Sequence, residues 1–464
     1  MEPLSLRKIA EFTQGSLTAG DVEKIVTRVS TDSRTLQSGD LFVPLRGENF
    51  DGHKFMGEAS ERGAVGAMVE ESWKGTTPKG FALIRVPDTL VGYQNLAAKY
   101  RKSLPLKVIV ITGSNGKTST KDFVAATLSR GFRVTKTEGN FNNHVGLPQT
   151  MLAASSSDEI AVWEIGMNHP GEIAALSKLA APDAAIITNV GLAHIEFMGS
   201  RDAIAAEKGA LAEAVGADGT VILNADDPYS QGIAERTRAK VILAGIENGF
   251  VRATEVSQSS SGCEFTILEG AHRCRAQLPV PGIHMVQNAM LAVAAGRAFG
   301  LSLEDCAAGL ASAPLTKARL QIKEINGIQF IDDSYNANPD SMKAALRTLV
   351  ELDADGRRIA VLGEMSELGE ESERGHREVG EAAAAFGIDE LIAVGATGAG
   401  IARAAQQAGL GQSISVADAE EAAELLGETA SPGDLILVKG SRSARMERVL
   451  EAFSKRRSTA EVTP

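Results

Sequence analysis

The chain has 464 residues, 44% of them hydrophobic and 23% charged, with a formal net charge of −12. That length exceeds one ordinary core and predicts several domains of a soluble globular protein. The acidic balance argues against general affinity for nucleic acid or anionic membrane, no apolar run is long enough to span a bilayer, and three cysteines give neither a disulfide framework nor zinc spacing.

The cysteine count fits a reducing cytoplasm, and the N-terminal MEPLSLRKIAEF lacks the apolar core of a secretion signal. Residues 1–103 read as a small α/β domain, with a helix over 4–13 and a strand over 40–45. Between them Ser30, Thr31, Asp32, Ser33 and Arg34 form a polar cluster. Such a cluster serves a turn, through side chains bonding their own backbone, or binds a nucleotide base and diphosphate. His53 reads as a loop histidine. A strand and a helix over 82–100 lead into the linker 102–105.

A second unit spans 104–315. Val108 to Ile111 are apolar and β-branched without a break, which predicts a strand buried on both faces of a parallel sheet. Gly113, Ser114, Asn115, Gly116, Lys117, Thr118 and Ser119 follow, and then a helix. A glycine-rich turn between a buried strand and a helix N-terminus is a phosphate cradle. It offers backbone N–H groups, a lysine charge and a threonine hydroxyl for Mg²⁺. Ile111 stands where the full Walker pattern has glycine, so this is a shortened relative of the P-loop. Asn142 and Asn143 lie in the polar stretch GNFNNHVGLP. Glu164 lies in the strand 160–165, where a lone buried carboxylate requires a cation. A strand over 184–189 leads to His194. If the sheet is parallel, Glu164 and His194 converge beyond its carboxyl ends near Thr118. Lys208 has the pattern of a helix-surface lysine. The segment through 265–280 reads as short antiparallel strands, and Asn288 enters an alanine-rich helix that ends at 299.

The third unit, 316–464, alternates strands (328–331, 358–362, 390–394, 434–438) with helices, as in a Rossmann-like doubly wound sheet. It has no G-x-G-x-x-G. Asp333, Tyr335, Asn336 and Asn338 lie in one strand-end loop. The acidic run 364–373 reads as a solvated face, and Lys439, Arg442 and Arg445 as an anion site.

The ordered set TDSR (31–34), TGSNGKTST (112–120), EIG (164–166), NADDP (224–228) and His284 with Asn288 resembles the Mur ligases, the ATP-dependent amide ligases of peptidoglycan precursor synthesis. The likeness covers nearly the whole chain. Within that family, DDSYNANPDSM (332–342), GNFNNHVGLP (139–148) and VKGSRSARMERV (438–449) look like the branch that adds D-alanyl-D-alanine. The resemblance implies three domains: a small α/β domain for the UDP end of the acceptor, a central P-loop-type ATPase with a mostly parallel sheet, and a Rossmann-like C-terminal domain. It implies ATP, UDP-N-acetylmuramoyl-tripeptide and D-alanyl-D-alanine as substrates of a cytoplasmic monomer. Asp32, Ser33 and Arg34 would meet the UDP end. Gly113 to Ser119, Asn288 and Arg319 would bind ATP. Thr118, Glu164, His194 and a carbamylated Lys208 would hold a pair of Mg²⁺ ions. Asn142, Asn143, Asp333, Tyr335, Asn336 and Asn338 would bind substrate, with Lys117, Lys208, His194 and Arg319 catalytic. Ala318 precedes Arg319 where the family often has glycine. A family member adding a different residue, and a P-loop protein that binds ATP without ligation, are the competing readings.

Overall fold

The computed structural model describes residues 1–314 and 317–460, with side chains through residue 455. The boundary expected between 315 and 316 lies outside the described residues. Three α/β domains follow one another, each on its own sheet. Among the described residues no helix is long and apolar enough to cross a membrane.

The first sheet has five strands in the order Ser16–Ala19, Ala82–Val86, Gly66–Glu70, Asp40–Phe42, Arg28–Ser30, parallel except at the Ser16–Ala19 edge. The helix expected from residue 4 begins at Leu6. Ser5 caps it, its hydroxyl accepting from Lys8 N, while Leu4 and Ser5 pair with Ile25–Val26. Tyr100 ties this domain to the next: its hydroxyl donates to Ala154 O at 2.6 Å and accepts from Glu2 N at 2.7 Å.

The central sheet has nine strands in the order Val134–Lys136, Ile160–Glu164, Lys107–Thr112, Ala184–Ile187, Thr220–Asn224, Lys240–Gly245, Val251–Ser259, Gly262–Glu269, His272–Leu278. All neighbours are parallel up to Val251–Ser259, and the last two pairings are antiparallel. The strands expected to be short are 9, 8 and 7 residues long and continue the same sheet. Val108, Ile109, Val110 and Ile111 are fully buried. Each stabilises the fold by about 1.5–3 kcal/mol relative to an exposed side chain. The helix Ile283–Ala298 is apolar on nearly every side and packs on the helix Lys117–Leu128, so the phosphate loop rests on a buried layer.

The C-terminal sheet has six strands in the order Gln321–Ile325, Ile328–Asp333, Leu435–Lys439, Arg358–Leu362, Glu390–Val394, Ser413–Val416. Only the first pairing is antiparallel. Both outer strands are absent from the sequence reading. They are short edge strands with half-exposed, mixed side chains, so no apolar run marks them. The strand expected over 434–438 starts at Leu435 because the Asp434 carboxylate binds Arg357 and the Ser431 N–H.

Candidate active site

The site lies where Lys107–Thr112 has neighbours leading to opposite sides of the sheet, the switch point at which open α/β sheets bind ligands. Gly116 has φ +78°, and a Cβ there would lie 2.6 Å from Asn288 Oδ1. Glycine is therefore required both by the turn and by its contact with the buried helix. A Cβ at Gly113 would overlap Thr188 Oγ1. The loop is clamped from the neighbouring strand end. Ser114 N donates to Asn189 O at 2.9 Å, Asn115 N to Asn189 Oδ1 at 2.9 Å, and Thr188 Oγ1 to Asn115 O at 2.5 Å. Sequence reasoning missed Thr188 and Asn189; the available signal was a polar pair ending a fully apolar strand.

The helix Lys117–Leu128 starts without a side-chain cap, leaving its first-turn N–H groups facing the cavity. Lys117 Nζ donates to Gly113 O at 2.9 Å and sits at the centre of the loop. Burial lowers its pKa and the Arg319 charge adds to this, while Glu164 opposes it. Glu164 is 2% exposed. Its Oε2 accepts from Thr118 Oγ1 at 2.8 Å and its Oε1 from Asn142 Nδ2 at 2.7 Å. The two asparagines part company: Asn143 Oδ1 accepts from Val145 N and Gly146 N and shapes its own turn.

His194 has φ +62° and its Nδ1 lies 2.5 Å from Glu367 Oε2 of the C-terminal domain. Glu367 has φ +60°, and its carboxyl is held below the ordinary range by His194. Two non-glycine residues in this conformation cost about 1–2 kcal/mol each and persist only where surroundings dictate them. Lys208 is not on the surface. It is 1% exposed within the helix Arg201–Glu213, and burial, with the Lys117 charge, pushes its pKa well below that of ordinary lysine. The helical pattern does not show this, because the helix Glu172–Ala180 and the strands Lys107–Thr112 and Ala184–Ile187 pack on this helix. Among the described residues, no three His, Cys, Asp or Glu side chains gather into a metal cluster.

The third domain closes the other side. The Arg319 guanidinium stacks 4.2 Å from the Tyr335 ring centroid. Ala318 has φ +56°, the conformation in which glycine carries no Cβ penalty. Asn338 Nδ2 donates to Asn115 Oδ1 at 2.7 Å, while its Oδ1 accepts from Ser341 N and caps the helix Pro339–Glu351. Asn336 presents its side chain to its own loop, Oδ1 accepting from Ala337 N. The anion-site expectation fails at Lys439, which is buried with Nζ 2.6 Å from Asp333 Oδ2, whereas Arg442 pairs with Glu447 and stays on the cavity wall. The acidic run is solvated only in part: Glu370 and Glu373 are exposed, whereas Met365 and Leu368 are buried and Glu367 reaches His194.

One cavity of about 1120 Å³ gathers Ser114, Asn115, Gly116, Lys117, Thr118, Asn142, Asn143, Glu164, His194, Arg319, Tyr335, Asn336 and Asn338. It adds Ser366, Ser441 and Ser443, which the sequence reading did not single out as site residues. Gly113, Ser119, Lys208, Asn288 and Asp333 are not on its wall; Asn288 abuts Gly116 and Asp333 holds Lys439. Asp32, Ser33 and Arg34 lie apart, on the N-terminal domain. Asp32 caps the turn Ser33–Thr35 and pairs with Arg34 at 2.8 Å, and Ser33 donates to Glu58.

The profile of the Mur ligase middle domain matches residues 111–296, that of the Mur ligase glutamate ligase domain 318–442, and that of the Mur ligase family catalytic domain 25–79. The UDP-N-acetylmuramoyl-tripeptide–D-alanyl-D-alanine ligase of Bacillus subtilis (strain 168) is 41% identical over 450 residues, which cover 96% of this chain and 97% of that one. The chain belongs to the Mur ligase family. The ligase of the same name from Escherichia coli (strain K12) is 36% identical over 459 residues, covering 98% and 99% of the two chains. Among solved Mur ligases, MurF from Acinetobacter baumannii superposes with a TM-score of 0.90 at 33% identity, over 98% of this chain and 99% of that one. The MurF ligase of Thermotoga maritima, solved in complex with ADP, gives 0.84 at 28% identity, over 94% and 99%. The three-domain Mur ligase architecture is therefore shared from end to end.

Proposed function

We propose that this Mur ligase condenses UDP-N-acetylmuramoyl-tripeptide with D-alanyl-D-alanine at the expense of ATP, as a cytoplasmic monomer serving peptidoglycan precursor synthesis. The observation that carries this reading is the shared cavity between the phosphate loop, the buried Glu164 and the third domain's Tyr335–Asn338 loop. It is joined to end-to-end similarity with ligases of that name.

Phosphoryl transfer needs mainly positioning and charge stabilisation. The tripeptide carboxylate attacks the γ-phosphorus, the bond to the β–γ bridging oxygen breaks, and ADP leaves. The dipeptide amine then attacks the acyl phosphate carbonyl, an amide forms, and phosphate departs. Lys117 and the first-turn N–H groups face the transferring charge, and Asn288 fixes the loop from below. Arg319, stacked on Tyr335, sits where adenosine and phosphates would be oriented. Closure of the third domain excludes water that would hydrolyse the acyl phosphate.

The donor set fits Mg²⁺. Glu164 is a buried carboxylate with no lysine or arginine in ion-pair contact among the described residues, and the Thr118 hydroxyl touches it. Mg²⁺ favours such oxygen ligands, shared with substrate phosphates, over an all-protein cage. Thr118 and Glu164 would hold one ion; His194 and a carbamylated Lys208 would hold another. Bound there, Mg²⁺ would neutralise phosphate charge. Burial shifts the Lys208 amine toward its neutral form, the form that adds carbon dioxide. Asp32, Ser33 and Arg34 would take the UDP end.

The deciding experiment is phosphate release from MgATP with the UDP-linked tripeptide, with and without D-alanyl-D-alanine. Release that requires both, with a product mass equal to their condensation, is expected. ATP binding without dipeptide-dependent release would instead leave a P-loop binding protein. Glu164→Gln is expected to raise the Mg²⁺ concentration for half-maximal activity about tenfold or more, the scale of losing a charge-assisted ligand. An unchanged Mg²⁺ titration would remove Glu164 from the metal site.

A further inference from the structure

Three successive backbone N–H groups, those of residues 190–192, are taken by three side chains from different parts of the molecule. Val190 N donates to Asp227 Oδ2 at 2.7 Å, inside the central domain. Gly191 N donates to Ser114 Oγ of the phosphate loop at 2.8 Å, and Ser114 Oγ returns a bond to Gly191 O at 3.1 Å. Leu192 N donates to Asp340 Oδ2 of the C-terminal domain at 3.1 Å. The same Asp340 oxygen accepts from Arg201 Nη2 at 3.2 Å, and Lys343 Nζ lies 4.0 Å from its other oxygen. Two residues after Leu192 the chain reaches His194 in its left-handed conformation.

Gly191 leaves room for this approach. A Cβ there would lie 2.6 Å from Asp340 Oδ2, so the carboxylate would have to shift, and 3.3 and 3.4 Å from Asn115 Nδ2 and Ser114 Cβ of the phosphate loop, yet Gly191 does not have the positive φ that would demand glycine on backbone grounds. The missing side chain therefore serves the contact between Asp340 and this segment. From the helix Pro339–Glu351 the contact also fixes Asn338, two residues before Asp340, against Asn115.

We propose that Asp340 is a positioning residue for ligation, and that the 190–192 segment is the junction through which docking of the third domain is registered by the phosphate loop and by His194. Docking adds the third of the three acceptors. With it, Ser114 and His194 are held in one arrangement relative to the Tyr335–Asn338 loop; without it, the segment keeps only its two central-domain anchors. Arg201 strengthens the latch by supplying a charge partner for Asp340 across the same seam. The proposal rests on the ligase reading for its kinetic consequence, but the docking itself does not.

Asp340 also lies in the first turn of its helix, where a carboxylate favours the helix dipole. Gly191→Ala leaves that helix untouched and separates the two roles. In the full-length protein, Gly191→Ala and Asp340→Ala are each expected to lower kcat about tenfold or more, the usual size of a coupling between sites or of a misplaced reacting group, with the ADP affinity unchanged. The double variant should be no slower than the worse single one, because both remove the same contact. Small-angle scattering of the nucleotide-free proteins reads docking without turnover, and Gly191→Ala should have the larger radius of gyration. Wild-type kcat in Gly191→Ala, multiplicative losses in the double variant, or a loss of ADP affinity matching the loss of kcat would each overturn the proposal. Wild-type protein without dipeptide-dependent phosphate release would instead overturn the ligase reading, with the scattering comparison still deciding the junction.

Discussion

Lys117→Ala is expected to lower dipeptide-dependent phosphate release by about a thousandfold, the upper range for removing one preorganised charge from a phosphoryl-transfer site. The fold should survive. Among the described residues Lys117 Nζ bonds the carbonyls of Gly113 and Ser114 in its own loop, while the loop is held by Asn189, Thr188 and Ser114 contacts that the substitution leaves alone. A half-buried lysine whose charge is disfavoured by desolvation contributes little to stability, so unfolding measurements should show the variant close to the parent. Phosphates entering the loop would give that charge its partners. Turnover within tenfold of the parent would take Lys117 out of the reaction.

The second large effect is expected at Lys208. Lys208→Met, one heavy atom shorter but of similar volume, largely fills the same space while removing the amine of a residue that is 1% exposed. Turnover should fall about a hundredfold or more, on the scale of losing a group that orients a catalytic metal. The midpoint of thermal unfolding should stay the same or rise, because a desolvated amine has been replaced by an apolar group. Activity and stability moving in opposite directions is the mark of a residue retained for chemistry. Lys208→Ala adds a check: a short-chain carboxylic acid should restore part of the activity by placing a carboxylate in the vacated space. A Lys208→Met protein that turns over normally, or an alanine variant unmoved by any such acid, would remove the carbamate from the mechanism.

Much of the site was legible from local pattern. Four apolar β-branched residues at 108–111, followed by glycines at 113 and 116 and by Lys117–Thr118, can satisfy burial and backbone geometry together in only one way: a buried parallel strand ending in a phosphate cradle. Glu164 was legible in part, since a carboxylate in a buried strand calls for a cation, but among the described residues its partners are the neutral Thr118 and Asn142. The Ala318 position was legible only as a departure from a family pattern. Its positive φ supplies the physical meaning.

Other features depend on groups that local sequence does not bring together. Lys208 looks solvent-exposed by its helical spacing and is buried by what packs around it. Asp333 and Lys439 are 106 residues apart and meet because parallel pairing sets them side by side in the register. That pairing took Lys439 out of the expected anion site and into an internal ion pair. Glu367, in a run that reads as a solvated acidic face, was placed against His194 by the docking of two domains. Local pattern set most strand–loop–helix units and the chemistry each one carries, because backbone geometry and burial act over a few residues. Which carboxylate meets which cation, which lysine loses its water and which N–H group receives Asp340 followed from the assembled domains. Those outcomes depend on sheet register and domain contact, and neither has a local signature.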